Sequence, residues 1–406
     1  MHILVLDTIH GGKAIGEAFA ARGDNVDWVD VYRGKTGIDV KTALARNYDL
    51  VVAPVHLDPD HPLLTYSQAP VISHHEAVRQ LLAGNIPEPM IEITGAKGKT
   101  TTAHALAFLM EGKGILHTSA GTYLFPEKRW LSRSSITPGS VLAVAKIARD
   151  IRGWLIVEES LGITCLGTLG IITSDDDYAF AAGKKSAIVS KVASAKDCKN
   201  LLLAKNIHAD HSGHVVHMED VARCDGTECS LILGTNTSRF SNPLLAFPGY
   251  HTSLILAAVA AMILGIDPAP LSSFSAIPGR MSVSYDQGRL VIDNANSGTN
   301  LATTLEAARY ARTASGKEAI TLVIGQEEGD GAVCEGFAID QIRAAIDQVR
   351  PAQVVWVGKV PVPGTFECTM PEPLISAYTT TLKEAYDTSL KIAGTGSIVL
   401  AVKTWR

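Results

Sequence analysis

At 406 residues, 46% of them hydrophobic and 19% charged, the chain carries enough apolar material for two or three globular domains. A net charge of −5 without clustered Lys and Arg excludes a nucleic-acid binder, because contact with a phosphate backbone draws on such clusters. The longest apolar run, residues 254–266, is too short to cross a bilayer, and the strand that begins at Ile3 leaves no room for a signal peptide, so a soluble cytoplasmic protein with no membrane partner is expected. The six cysteines, Cys165, Cys198, Cys224, Cys229, Cys334 and Cys368, form no C-x-x-C pair and read as buried free thiols.

Residues 1–88 alternate short strands at 3–6, 26–31, 50–53 and 70–72 with helices at 14–21, 40–46 and 76–82, the pattern of a small parallel sheet. The strand ends collect His10, Gly11 and Gly12, then Arg33, His56, and His74 with His75. Ligands of open α/β sheets bind at the carboxyl ends of strands, so these residues are expected to share a substrate crevice. Paired prolines in residues 85–89 mark a linker.

Residues 89–270 form the expected central domain. An apolar strand (Met90, Ile91, Ile93) runs into Gly95-Ala96-Lys97-Gly98-Lys99-Thr100-Thr101, and a helix follows with Ala103, Leu106, Ala107 and Met110 on one face. Glycines allow backbone N–H groups to close on phosphate oxygens at the positive end of a helix. Lys99 would bridge the outer phosphates, and Thr100 would hold magnesium. The spacing is shorter than the usual G-x-x-x-x-G-K-[ST], whose first glycine would fall on Ile93. A second strand is expected at 114–116, with a polar turn at 117–122. A third, at 154–157, ends in Glu158, where a second magnesium ligand belongs. After a strand at 170–173 come Asp175, Asp176 and Asp177, then a helix expected to carry Lys184, Lys185 and Lys191, one of which is to face the phosphates. His208, His211, His214 and His217 recur every three residues, but Gly213 breaks any helix that could gather them, so an exposed sheet is the better reading.

Residues 271–406 read as a third α/β unit, with strands at 290–293, 320–324, 354–357 and 398–402 and helices at 301–312, 339–349 and 381–392. It has no phosphate loop of its own and is expected to act as a lid, with Arg280 and Asp293 contributing to the nucleotide site. The fold class is therefore α/β: a central P-loop ATP-binding domain flanked by two Rossmann-like α/β domains.

The motifs Thr94–Thr102, Glu158-x-Ser160, Pro248-Gly249-Tyr-His251, Gly279-Arg280-Met281 and Asp293-Asn-Ala, in that order, resemble those of the Mur ligase family, and they cover about three quarters of the chain. The resemblance implies a three-domain ATP-dependent ligase that joins a carboxylate to a nucleophile. It makes Lys99, Glu158 and Lys184 catalytic, Thr100 and Glu158 magnesium ligands, and ADP and phosphate the products. The chain departs from the family where an Asp-His pair is kept, since Thr173-Ser174 and Asp175-Asp-Asp-Tyr178 stand there; Lys184 or Lys185 corresponds to the family's carbamylated lysine. The segments 6–12, 53–59, 74–78, 115–119, 135–138 and 158–162 resemble an archaeal Mur-like branch that completes a nickel tetrapyrrole of methanogenesis. That likeness implies a nickel seco-tetrapyrrole substrate whose propionate is activated as an acyl phosphate and closed into a carbocycle, nickel being part of the substrate. An amide or peptide ligase and a nucleotide-gated pigment carrier stay open at this point, as does the oligomeric state, a homo-oligomer included.

Overall fold

A computed structural model describes residues 1–327, 336–359 and 375–404. Cys334 and Cys368, expected as buried thiols, lie outside the described residues. The chain divides into two compact units, Met1–Phe274 and Ser275–Arg406. Residues 1–88 and 89–270 carry separate sheets but fall within the first unit.

In the first unit, β1 (His2–Leu6), α1 (Gly12–Ala21), β2 (Asn25–Val29), α2 (Val40–Leu44), β3 (Leu50–Ala53), α3 (Pro62–Thr65), β4 (Val71–Ser73) and α4 (His74–Leu82) alternate. The strands are parallel in the order β2-β1-β3-β4. Ile3, Leu4, Val5 and Leu6 are all buried, as expected where a parallel strand is covered on both faces, and this explains why β1 reads as an unbroken apolar run. A reciprocal cap starts α4: Ser73 Oγ accepts from the Glu76 N–H, and Glu76 accepts from the Ser73 N–H. The cap sets the helix two residues earlier than apolar periodicity suggests and brings His74 and His75 into its first turn.

The chain continues through β5 (Met90–Thr94), α5 (Lys99–Leu109), β6 (Gly114–Thr118), β7 (Gly121–Phe125), β8 (Arg129–Ser132), α6 (Pro138–Asp150), β9 (Trp154–Glu158) and β10 (Leu169–Ile172). Then come β11 (Ala179–Phe180), β12 (Lys185–Ser186), α7 (Ala187–Ser194), β13 (Asn200–Leu203), β14 (His214–His217), α8 (Met218–Val221), β15 (Ala222–Asp225), β16 (Glu228–Leu233), β17 (Asn236–Ser241) and α9 (Pro248–Ile263). An eight-stranded sheet has the order β14-β13-β10-β5-β9-β6-β7-β8, which puts β5 between β10 and β9. The carboxyl ends of these three strands therefore meet at one place. Met90, Ile115, Val141, Ala145, Leu155 and Val157 share a continuous core with Ile3, Val5, Ile15, Phe19, Val52 and Val78 of the first sheet. That shared core fixes the two sheets against each other through α1, α4 and α6.

Three expectations are corrected. The segment expected as a polar turn at 117–122 is the end of β6, a two-residue reversal and the start of β7, because Thr118 and Gly121 pair across a hairpin. Lys184 and Lys185 sit on the β11–β12 hairpin, before the helix on which they were placed; only Lys191 lies on α7. Cys224 and Cys229 are not free thiols: they face each other across the β15–β16 hairpin, with Cα atoms 4.0 Å apart, and are joined by a disulfide. A hairpin turn, not a C-x-x-C motif, supplies the proximity. Helix α6, whose apolar positions Val141, Val144, Ala145 and Ala148 are buried, was not anticipated at all. The histidines 208–217 form no metal-ligating group among the described residues, and β14 carries His214 and His217 at its two ends.

The second unit contains β18 (Ser282–Asp286), β19 (Arg289–Asp293), α10 (Leu301–Ser315), β20 (Ile320–Gln326), α11 (Ile339–Val349), β21 (Gln353–Val357), β22 (Ile375–Thr379), α12 (Leu382–Ile392) and β23 (Ser397–Lys403). Its sheet runs β18-β19-β23-β20-β21-β22, with only the β18–β19 pair antiparallel among the described strands. Val291, Val323, Val355, Leu400 and Val402 pack with Leu382 and Ala385 into a separate core. No helix among the described residues is long and apolar enough to cross a membrane.

Candidate active site

The turn from β5 to α5 is built around two glycines. Gly95 has φ +148°, and a Cβ there would lie 2.1 Å from Thr173 Oγ1; Gly98 has φ +80° and begins α5 with no side-chain cap. Larger residues are excluded by conformation at both positions and by contact at the first. Thr173, at the end of β10, ties the loop down by donating from Oγ1 to Lys97 O at 2.5 Å. The N–H groups of Ala96 and Lys97 both donate to Ser174 Oγ at 3.2 Å, so they converge on one oxygen, as a cradle for anionic oxygens must. Lys97 reaches outward to Asp176 in an exposed ion pair, whereas Lys99 folds back, its Nζ donating to Gly95 O at 3.0 Å.

Glu158 ends β9 beside this turn and is 2% exposed. Its Oε2 accepts from Thr100 Oγ1 at 2.8 Å and from the Ser119 N–H at 3.1 Å, and its Oε1 lies 3.6 Å from Lys99 Nζ. The structure thus gathers Gly95, Ala96, Lys97, Gly98, Lys99, Thr100 and Glu158, with Thr101 buried in the first turn of α5. Ser119, which holds Glu158 from the β6–β7 reversal, carries no signal of its own in the sequence.

Lys184 is not brought to this place: its ammonium pairs with Asp58 at 2.7 Å and Asp60 at 2.6 Å. Lys185 donates to Val55 O. Both are spent in joining the β11–β12 hairpin to the loop after β3. Lys191 instead is 1% exposed, with its Nζ 4.9 Å from the centre of the Tyr178 ring and no hydrogen-bond partner among the described residues. Burial, and then the nearby charge of Lys99, push its pKa down to about 8. The lysine that senses Lys99 is thus the one on the helix; its signal was the apolar spacing of α7, whose inward face includes position 191.

A second buried carboxylate, Glu92 on β5, accepts from the N–H groups of Thr164, Cys165, Leu166 and Gly167 and from Thr164 Oγ1, and so organises the loop between β9 and β10. A charged residue inside the apolar run Met-Ile-Glu-Ile-Thr was the signal that could have found it. Burial and the neighbouring Glu92 push the Glu159 carboxyl well above the usual carboxylate range.

At the carboxyl end of the first sheet, Asp7 is fully buried in a left-handed conformation, φ +81°, and its carboxylate accepts from the N–H groups of Ile9 and His10 and pairs with His10 Nδ1 at 3.0 Å. That pairing raises the His10 pKa against burial and the charge of nearby Arg33. His56 lies against His10, ring centres 4.8 Å apart, and stacks on Tyr32; burial, and then His10, push its pKa down to about 4. Gly11 and Gly12 pack against Thr137 and the Asp7 carbonyl. His10 and His56 thus lie together with Arg33 near enough for its charge to act on His10, while Gly11 and Gly12 are packed into the turn before α1. His74 and His75, expected as substrate contacts, are instead buried: His74 Nε2 pairs with Leu6 O and His75 Nε2 with Ser160 O, because the Ser73 cap turns both inward. Burial pushes their pKa values down to about 4 and about 3, so both are neutral braces between strand ends.

In the second unit, Asp293 ends β19 and accepts from the Ala295 N–H. The turn carrying Arg280 is tied to this strand end by Asn296, whose Nδ2 donates to Gly279 O at 2.6 Å.

Residues 283–404 match the family profile described as "Coenzyme F430 synthetase CfbE, C-terminal domain". The whole chain aligns with a protein of Methanosarcina acetivorans named coenzyme F(430) synthetase, at 30% identity over 100% of this chain and 98% of the relative. A protein of the same name from Methanocaldococcus jannaschii is 22% identical over 88% of this chain and 91% of its own length. Among solved structures, MurF from Acinetobacter baumannii has the same fold with a TM-score of 0.57 at 14% identity, covering 97% of this chain and 95% of its own.

Proposed function

The chain belongs to the coenzyme F(430) synthetase family, and we propose from this that it is an ATP-dependent ligase that phosphorylates a propionate of a nickel seco-tetrapyrrole and closes the final carbocycle. The observation that carries the reading is the convergence of Lys99, Thr100 and Glu158 on one buried spot at the end of a glycine cradle. A carboxylate is a poor electrophile. Transfer of the γ-phosphoryl to its oxygen releases ADP and leaves an acyl phosphate. A ring carbon that has lost its proton then forms the new carbon–carbon bond at the acyl carbon, and phosphate departs, so the pigment loses one water overall.

The chain's own part is positioning and charge. The cradle N–H groups and Lys99 hold the phosphates and offset charge that builds on the transferring group. Thr100 Oγ1 and the Glu158 carboxylate are hard oxygen donors, buried side by side, and fit magnesium, which would add charge neutralisation there. Lys191, buried close enough to feel Lys99, replaces Lys184 as the lysine proposed to act beside the phosphates. Arg33 supplies a cationic donor for the carboxylates of the macrocycle at the carboxyl end of the first sheet. Arg280 and Asp293 are assigned a part in nucleotide binding, to be read as a loss of ATP affinity in Arg280→Ala and Asp293→Ala.

The test is incubation of the protein with ATP, magnesium and the purified seco-precursor, following absorption and mass. The reading expects release of ADP and loss of one water from the pigment. ADP release that depends on an added amino acid, with no change in pigment mass, would replace it with an amide ligase.

A further inference from the structure

We propose that Asp7, His10 and His56 form a binding site for a divalent first-row transition-metal ion, separate from the magnesium site at the cradle. One donor atom from each lies within 4.8 Å of the other two, so small side-chain rotations bring all three onto one ion. The donors are two imidazoles and one carboxylate. Nitrogen-rich sets of this kind select nickel, cobalt or zinc over magnesium, which takes oxygen.

Further features describe a prepared site. The Nε2 atom of His56 is shielded from solvent and has no hydrogen-bond partner among the described residues. A buried polar atom left so is destabilising, and a metal–nitrogen bond removes that cost. The Asp7 carboxylate is aimed by the Ile9 and His10 N–H groups and held in a left-handed conformation that few residues tolerate. Asp7 also pairs with His10 Nδ1 at 3.0 Å, so these two donors are already drawn together. Tyr32 fixes both rings, stacked on His56 and edge-on to His10 at 5.2 Å between ring centres. His74, just behind, is committed to Leu6 O. Three protein donors leave coordination positions for an outside ligand.

Two sources use the donors differently: a free divalent ion takes all three, whereas nickel already held by the four ring nitrogens of the tetrapyrrole keeps only axial positions and takes one imidazole. The second rests on the function proposed above; the first does not. The experiment is equilibrium dialysis of the full chain against nickel or zinc chloride in excess magnesium, without ATP, beside a titration of the nickel seco-precursor followed by absorption. One equivalent of nickel or zinc retained, or a band shift of the precursor, supports the site and says which source fills it. His56→Ala and Asp7→Asn lower either signal about tenfold or more, whereas His208→Ala combined with His214→Ala leaves it unchanged. Because a variant can misfold, X-ray absorption at the nickel edge on the wild-type complex is read as well, with imidazole scattering expected. Absence of both signals, binding that survives His56→Ala, or a nickel spectrum without imidazole overturns the proposal. None of these outcomes requires turnover, so failure here and failure of the ligase reading are told apart.

Discussion

The β5–α5 and β19–α10 turns share a plan, a parallel strand delivering the chain to a helix start, and differ in what they do with the helix's free donors. Helix α5 opens on Gly98 with no side-chain cap. Helix α10 opens on Asn300, whose side chain accepts from the Thr303 N–H while Thr303 Oγ1 accepts from the Asn300 N–H. A helix end that satisfies itself is stable and offers little to a ligand; one left open by glycine is a weaker join and an anion site. The polar run Asn294–Asn300 therefore reads as scaffold for Asp293, and the glycine run as the place where phosphate is held.

The sharpest test of that contrast is Lys99→Ala, expected to lower ATP turnover by about 100- to 1000-fold, on the scale of removing one charge-stabilising donor. ADP release measured beside circular dichroism checks it, since the change leaves the glycine turn intact. Next, Gly95→Ala is expected to destabilise the protein by about 1–3 kcal/mol, from a strained backbone and the Thr173 contact. Gly84→Ala, with φ +74° but nothing within 4 Å, serves as its control and should cost less in urea unfolding. On the other side of the comparison, Asn300→Ala should cost about 1 kcal/mol of stability by loss of the cap and leave ATP affinity unchanged by calorimetry.

The smallest effect concerns Lys191. Its folded pKa, about 8, lies below the ordinary value of 10.5. The unfolded chain therefore binds more protons between these values, and stability rises with pH across that window. Below it, the cost of the buried charge is fully present. Lys191→Met should be more stable than wild type at neutral pH, and the difference should shrink as pH rises through 8 towards 10.5; a difference independent of pH would mean that the charge is not buried.

The glycine turn was legible because its geometry is local: Gly95 to Thr100 and the flanking periods specify a strand, a glycine turn and a helix start. Glu158 was legible as a carboxylate ending a strand. What could not be read was pairing across the fold. Lys184 and Lys185 are carried by the β11–β12 hairpin to Asp58, Asp60 and Val55 O, whereas Lys191 is turned inward by α7, and Cys224 meets Cys229 only once a turn is formed. His74 and His75 looked like the other strand-end histidines until the Ser73 cap fixed the direction of their side chains. Helix α6 went unnoticed although Thr137 and Pro138 make a helix start and its buried positions are regular.

The central claim, that the site activates a carboxylate through phosphoryl transfer, is tested most directly by isotope transfer. With oxygen-18 in the substrate propionate, the account predicts that the phosphate released on ring closure carries one labelled oxygen. Unlabelled phosphate accompanying the same ring closure would contradict it.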